Sequence, residues 1–409
     1  MKITKKKPEV LAPAGNLQKF FACMHFGADA VYLAGRKYGL RTSTDNFDRE
    51  QLKQAVEYAH SKSCKVYLTL NIVAHNSDFE QLPEYLQFVK SVGVDGLIIS
   101  DPGVFAMSKI HANGVELHIS TQANITNKYT AQMWIDMGCS RIIPARELSL
   151  KEIAELRQAI PSHIEIETFV HGAMCMAYSG RCLLSNYSSS RQSNKGACNH
   201  SCRWEYTVID KKTGEQMNVE EDERGSYIFN SKDLNMIEHL DKLINAGVSS
   251  FKIEGRSKSI YYAGAVTNAY RRAVDFLFTN PGVKIESEIV QELNKVHSRG
   301  FCTGLYFGKN SSMDTNYDTA NSVSDWDVVA IVLGDCIDGT VLLEHRNKFV
   351  KGDSIQVVSP NSYHNQNFVV EQMSDEDHNV IEVANKVQQK ILLKCNLPLK
   401  KGDMLRKKI

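Results

Sequence analysis

From residue 8 onward, short apolar runs alternate with longer amphipathic segments, and this alternation limits the fold more than any other feature of the sequence. The apolar runs are residues 10–12, 30–33, 65–70, 96–100, 117–121, 141–144, 164–170 and 250–254. Helical periodicity fills 17–26, 49–61, 79–92, 128–137, 149–159 and 234–246. Four of the joins read glycine and then a small or apolar residue: Gly27-Ala28, Gly93-Val94, Gly138-Cys139 and Gly247-Val248. That is the chemistry of a helix end followed by re-entry into a buried strand. Eight such strands with intervening helices predict an α/β fold, a (β/α)8 TIM-like barrel or a close variant. A doubly wound sheet is the alternative. It usually uses fewer strands, and no G-x-G-x-x-G opens a helix here.

Between the seventh and eighth runs the pattern breaks. Residues 206–209 and 227–229 read as a hairpin insertion with a polar tip at 210–225, and 230–233 as the cap of the next helix. Residues 260–278 and 286–296 are helical, separated by a break at 280–282. From residue 325 the texture becomes short, β-rich and turn-punctuated, with runs at 328–333, 339–344, 354–358, 368–372, 380–383 and 390–395. A barrel domain over 1–309, a polar linker over 310–324 and a small C-terminal β-barrel domain over 325–409 follow.

The chain has 409 residues, enough for two or three domains. Its formal net charge of +1 means that any nucleic-acid contact must come from a local patch. One candidate patch is 390–409, where Lys390, Lys394, Lys400, Lys401, Arg406, Lys407 and Lys408 stand against Asp403 alone. Such an edge suits an RNA backbone, or is simply a solvated terminus. The start of the chain does not read as a signal peptide, and no run reaches the length of a membrane span. A cytoplasmic protein with no membrane partner is expected, in which thiols stay reduced.

Four of the ten cysteines crowd into 167–202, spaced C-x6-C-x15-C-x3-C at Cys175, Cys182, Cys198 and Cys202. The other six are scattered singly in apolar context, as small buried hydrophobes usually are. Four thiolates on a Gly-, Ser- and Asn-rich loop can hold a tetrahedral zinc or a cubane iron–sulfur cluster, and the spacing does not choose between them. In a barrel this loop follows the seventh strand and so lies at the C-terminal mouth. Asn16, Asn71, Asp101, Thr121, Gln122, Arg146, Glu147, Glu167, His171, Glu254 and Arg256 also fall at strand ends. Strand ends lie near solvent and are polar in any case, so part of this set is expected to be ordinary surface.

The run Glu167, Phe169, Gly172, Ala173, Met174, Cys175, Gly180, Cys182, Leu184, Ser185 resembles the signature of the peptidase U32 family. The likeness extends to LAPAGN at 11–16, ADAVYLAG at 28–35, HISTQANITN at 118–127 and FKIEGR at 251–256. Length and the C-terminal region resemble its prephenate-dependent branch, which hydroxylates the wobble uridine of tRNA at carbon 5. The resemblance implies a [4Fe-4S] cluster on Cys175, Cys182, Cys198 and Cys202, prephenate as co-substrate or ligand, and tRNA as partner. An electron donor and a second family member are further partners to be expected. Arg146 and Arg256 are suited to fork the acid's carboxylates, with Arg36, Arg181 and Arg203 as further options. His171, Glu254 and Arg256 are the expected catalytic side chains, the first two as movers of protons. Tyr178 and Trp204 are candidates to stack on the exposed base. The family's older name implies a collagen-degrading peptidase as the alternative. The chain lacks H-E-x-x-H and G-x-S-x-G, but Cys175 near His171 keeps a cysteine peptidase open. An RNA-binding protein with a structural cluster is the third reading.

Overall fold

The computed structural model describes residues 6–39, 45–174, 188–189, 201, 232–308 and 324–409, together with the backbone of 207–209 and 216–218. Seven strands come first: β1 (Glu9–Pro13), β2 (Ala30–Leu33), β3 (Lys65–Leu70), β4 (Gly96–Ile99), β5 (Glu116–Ile119), β6 (Arg141–Ile142) and β7 (Glu165–Gly172). Each pairs in parallel with the next. Three short strands intervene. β8 (Thr207–Ile209) and β9 (Gln216–Asn218) form an antiparallel hairpin, and β10 (Asp233–Asn235) runs antiparallel to β7. Then β11 (Ser250–Ile253) pairs in parallel with both β7 and β1 and closes an eight-stranded barrel.

The helices that cover the barrel are α1 (Leu17–His25), α2 (Arg49–Ser61), α3 (Leu82–Val92), α4 (Pro102–His111), α5 (Lys128–Asp136), α6 (Leu150–Ala159), α7 (Leu240–Asn245) and α8 (Ile260–Thr279). Asn16, Asp48, Asp101, Asn127, Ser149 and Ser259 each accept a first-turn backbone N–H. Each such cap contributes about 1 kcal/mol and fixes where a helix leaves the mouth. Sequence periodicity misses α4, whose stretch PGVFAMSKIH mixes Gly, Ser and small residues; its signals are Asp101 and Pro102 at the start. Among the described residues no helix is long and apolar enough to cross a membrane.

Two expectations change. Residues 234–246 are not one helix: Asp233–Asn235 is drawn into ladders with β7 and with β12 (Phe301–Cys302), so helix begins only at Leu240. The hairpin partner of Thr207–Ile209 is Gln216–Asn218; the expected partner, 227–229, lies outside the described residues.

The C-terminal residues form an antiparallel sheet domain with its own core, including Val329, Val341, Leu343, Ile355, Val357, Ile391, Leu393 and Leu405. Its strands are β13 (Trp326–Val332), β14 (Thr340–His345), β15 (Phe349–Val350), β16 (Ser354–Val358), β17 (Asn367–Val369), β18 (Met373–Ser374), β19 (Val380–Ile381), β20 (Val383–Ala384), β21 (Lys390–Lys394) and β22 (Met404–Lys408). The larger sheet runs β17-β16-β22-β13-β14-β21-β18-β19. Except for Ser324, the expected linker 310–324 falls outside the described residues.

The expected basic edge, 390–409, includes the last strand, β22. That strand lies inside the sheet between β13 and β16, and Arg406 on it is fully buried. Lys407 pairs with Asp353 at 2.8 Å, Lys400 with Asp335 at 2.9 Å and Lys390 with Glu376 at 3.5 Å. Lys394, Lys401 and Lys408 stay exposed. Three of the seven expected cations are therefore paired within the sheet domain and Arg406 is buried on Glu292, which reduces the field an RNA backbone would feel there.

Candidate active site

Residues alternate in and out along a strand, so a barrel strand offers every second side chain to the interior. On β11 the inward set is Ser250 and Lys252, continuing through Glu254 to Arg256 beyond its end. On β7 it is Glu165, Glu167 and Phe169. Barrel interiors are usually filled by branched aliphatics. This one carries charge. Arg141 on β6 is 2 % exposed and reaches Glu9 at 2.8 Å, Glu165 at 2.5 Å and Glu167 at 2.9 Å, with its guanidinium 4.8 Å above the ring of Tyr67. Tyr67 donates to Glu9 at 2.7 Å, and Ser250 donates to the same carboxylate at 2.8 Å. This lower deck ties five strands together at the N-terminal end of the barrel.

One step nearer the mouth, Lys252 donates to Glu167 Oε1 at 2.7 Å. Burial alone would push the Glu167 carboxyl up, but Lys252 and Arg141 outweigh it and hold it below the usual range. The Lys252 ammonium also lies 4.5 Å from the ring centre of Tyr32 and 5.4 Å from that of Phe169. The guanidinium of Arg146 sits 5.3 Å from the same Phe169 ring and donates to Ala173 O at 3.1 Å. Arg256, 3 % exposed, donates to Asn46 Oδ1 at 2.7 Å and to Thr69 Oγ1 at 3.4 Å. Glu254 is half-buried, its Oε2 3.4 Å from the hydroxyl of Tyr32. Asn71 donates to Gln122 at 3.2 Å. Arg146, Glu254, Arg256, Asn71 and Gln122 thus belong to the mouth, as the sequence suggests.

Others of the expected set do structural work. Asn16 and Asp101 cap helices, and Thr121 donates to Pro144 O at 3.1 Å. Arg36 is exposed and pairs with Asp48 at 3.3 Å. Glu167 belongs to the buried deck rather than the rim. Cys175, Cys182, Cys198, Cys202, Tyr178, Arg181, Arg203 and Trp204 lie outside the described residues. The segment that carries them is nonetheless rooted: it leaves from the end of β7, and the chain returns as β10, pairing Leu234 with Gly172 and Asn235 with His171. Both roots stand at the C-terminal end of the barrel. Gly172 makes this possible, with φ +104° and no room for a Cβ, which would meet Glu254 O at 2.4 Å.

His171 departs from expectation. The pairing of β11 with β7 slips between Lys252/Phe169 and Ile253/His171, so Val170 is passed over as a bulge. The slip turns His171 out of the barrel, among the rings of Tyr262, Tyr270 and Phe301 at 5.8, 5.5 and 5.4 Å. Tyr270 and Tyr306 hold the bulge by donating to Val170 O at 2.7 Å and Phe169 O at 2.6 Å. Burial lowers the His171 imidazole to about 3, against a raising influence from Asp233 and with Lys258 adding to the lowering. A ring so placed does not move protons at the mouth near neutrality. It does make the fold acid-sensitive. The unfolded chain binds this proton below about pH 6.5 and the folded one only near pH 3, so stability is full above 6.5 and falls as pH drops between them. The slope expected from this one group is about 1.4 kcal/mol per pH unit. Urea midpoints of wild type and His171→Phe between pH 7 and 4 check it: the variant's curve should be flatter.

Lys252, Tyr32 and Arg141 escaped the sequence reading. The available signal was a single lysine inside an otherwise apolar strand, F-K-I at 251–253, where burial demands a partner.

A closed eight-stranded parallel barrel with a polar C-terminal mouth, from which a cysteine-bearing segment leaves and to which the chain returns, joined to an antiparallel sheet domain, defines the class. Residues 15–316 match the peptidase family U32 model and residues 324–406 that of the peptidase family U32 C-terminal domain. The chain belongs to the peptidase U32 family. It is 37% identical over 408 residues to tRNA hydroxylation protein P1 of Bacillus subtilis, covering 99% of this chain and 96% of that protein. It is 36% identical over 419 residues to tRNA hydroxylation protein P of Escherichia coli, covering 92% and 91%. A protein named collagenase from Porphyromonas gingivalis is 34% identical over 314 residues, covering 74% of each.

Proposed function

We propose that this chain hydroxylates a tRNA nucleotide, and specifically carbon 5 of the wobble uridine, in a reaction that depends on prephenate. Near full-length similarity to two proteins named for tRNA hydroxylation is the observation that carries the reading. The mouth supports it in kind, since Arg146 and Arg256 offer the forked donors that carboxylates take up. A nucleotide in the anticodon loop is already unpaired, so turning it toward a barrel mouth costs only a few kcal/mol.

Cys175, Cys182, Cys198 and Cys202 are the residues that would hold a [4Fe-4S] cluster. Their donor set fits it in type, and the segment bearing them is rooted at the mouth. A cluster held by four thiolates supplies electron transfer. The chain's own side chains do the rest: the cations orient the acid, the ion-paired lower deck ties the strands together beneath it, and Glu254 at the mouth serves as proton acceptor. Cytoplasmic location, an electron donor and a second family member remain parts of this proposal.

The peptidase reading rests on the names of the family and of relatives such as the Porphyromonas protein, and the placement of His171 weighs against it. A cysteine peptidase needs an accessible imidazole beside its thiol, and this ring faces Tyr262 and Tyr270. Nucleoside analysis of tRNA from a strain lacking this gene is the test. Loss of 5-hydroxyuridine derivatives, restored by the wild-type gene, is expected; an unchanged level overturns the reading.

A further inference from the structure

A second concave site opens on the C-terminal face of the barrel, beside the mouth. It has a volume of about 230 Å³ and lies between the first turns of α2 and α3 and the loop after β2. Its wall is a run of rings. Tyr38 and Tyr85 are 5.2 Å apart and Tyr85 and Phe88 6.2 Å, tilted by 42° and 38°. Tyr85 and Phe88 are half-buried and keep ring surface open, while the buried Tyr38 and Phe47 back them. Tyr38 holds φ +67°, a left-handed conformation that costs a bulky residue strain, and such strain gathers at ligand clamps. Arg49 lays its guanidinium 4.7 Å over the Phe88 ring. Arg36 and Lys37 stand exposed at the rim. Arg36 and Arg49 have acidic partners in Asp48 and Glu84, at 3.3 and 2.7 Å, surface pairs that water screens and an incoming anion can replace. Lys37 has no acidic partner among the described residues; it donates to the neutral Gln81 side chain at 2.5 Å.

The cavity is tied to the mouth through neighbouring residues. Asn46 accepts from Arg256 at 2.7 Å, while the next residue, Phe47, lines the cavity. Mouth and cavity are thus two sides of a single chain segment. We propose that the cavity seats the base next to the target nucleotide of an RNA loop. The base lies against Tyr85 and Phe88 beside the Arg49 guanidinium, and its phosphate meets Lys37 and Arg36. The inference rests on the tRNA reading above and adds a second nucleotide contact on the same face. Half-open aromatic walls edged by cations suit an unpaired base: rings and guanidinium planes take its face, and ammonium groups take the phosphate. The cavity has room for a single base and none for a duplex, so the RNA must present that base unpaired, as a loop does.

Fluorescence anisotropy of the anaerobically purified full-length protein with a labelled anticodon stem-loop RNA is the test. Three RNAs are compared: the intact one, and two that lack the base on one or the other side of the target uridine. Wild type is expected to bind the intact RNA and to bind one of the two abasic RNAs at least fivefold more weakly, as the loss of a stacked base predicts. Phe88→Ala should bind the intact RNA at least fivefold more weakly and should separate it from that abasic RNA by less than twofold, with circular dichroism reporting an intact fold. Lys37→Glu, at an exposed position, should weaken all three RNAs at least fivefold and flatten the dependence of affinity on salt. This arm decides the matter if Phe88→Ala does not fold. A wild type that fails to bind, or that treats the three RNAs alike, overturns the proposal. Binding of the intact RNA within twofold of wild type by either folded variant overturns it too, as does an abasic penalty undiminished in Phe88→Ala. Where the deletion strain loses hydroxyuridine and any of these results is obtained, tRNA hydroxylation stands and only the seat for the neighbouring base falls.

Discussion

Alanine at Cys182 or Cys198 is expected to strip iron from the anaerobically purified protein and to bring tRNA hydroxyuridine down to the level of the deletion strain. Alanine at Cys23 or Cys139 should leave both near wild type. The contrast follows from thiolate chemistry. A metal ligand must be deprotonated. Burial pushes the Cys23 and Cys139 thiols up to about 12, so these remain small hydrophobic groups at any physiological pH. Among the described residues no three His, Cys, Asp or Glu side chains gather closely enough to hold a metal. The quartet in the segment between β7 and β10 is the remaining set with enough thiols. Iron assay and nucleoside analysis on the four variants decide it; iron retained in both Cys182→Ala and Cys198→Ala would refute the cluster assignment.

The second large effect concerns stability. Arg406→Met is expected to destabilise the chain by about 3–5 kcal/mol, read as a lower urea midpoint. Arg406 is fully buried between the barrel and the sheet domain. It donates to both oxygens of Glu292 at 3.1 and 2.9 Å, to Gln356 at 3.0 Å and to Tyr261 at 3.1 Å, with its guanidinium 5.2 Å from the ring of Trp326. Methionine fills similar volume but removes the guanidinium from the Glu292 carboxylate, 4 % exposed, leaving it with Lys295 at 2.6 Å, the Asn365 amide at 2.9 Å and His364 at 3.3 Å. The loss comes mainly from that stranded charge, so Arg406→Met/Glu292→Gln should recover most of it. Acid supplies an independent check. Burial by itself would raise the Glu292 carboxyl, but His364, Arg406 and Lys295 together hold it below the usual range. Its contribution is therefore complete above the ordinary carboxylate pKa and is lost as pH falls below it, toward the lower native value. In the methionine variant that acid-dependent part should shrink.

These two predictions draw on different levels of the molecule. The cysteine quartet, the (β/α)8 alternation and the family signature are all local or periodic, and each is readable because one residue type at one spacing has few physical uses. Asn16 and Asp101, by contrast, read as polar mouth residues in the sequence, and the structure shows them capping helices. Residues whose meaning depends on a partner far along the chain were not readable. Arg406 looked like one more basic residue in a charged terminus until β22 was placed between β13 and β16. His171 looked like a mouth histidine until the bulge at Val170 turned it round. Lys252 sat in plain view within FKIEGR, yet only barrel closure brings Glu167, Tyr32 and Phe169 to it from two other strands.

The order of strands and helices, and hence the barrel, was settled by the sequence itself, because hydrophobic periodicity acts between neighbours a few residues apart. Which charged groups face inward, which are neutralised and which are left to meet a ligand was decided only by the folded chain. Those outcomes turn on register and on contacts between residues more than eighty positions apart, such as Lys252 with Glu167, and in a low-dielectric interior a displacement of a few ångströms separates a satisfied ion pair from a binding site.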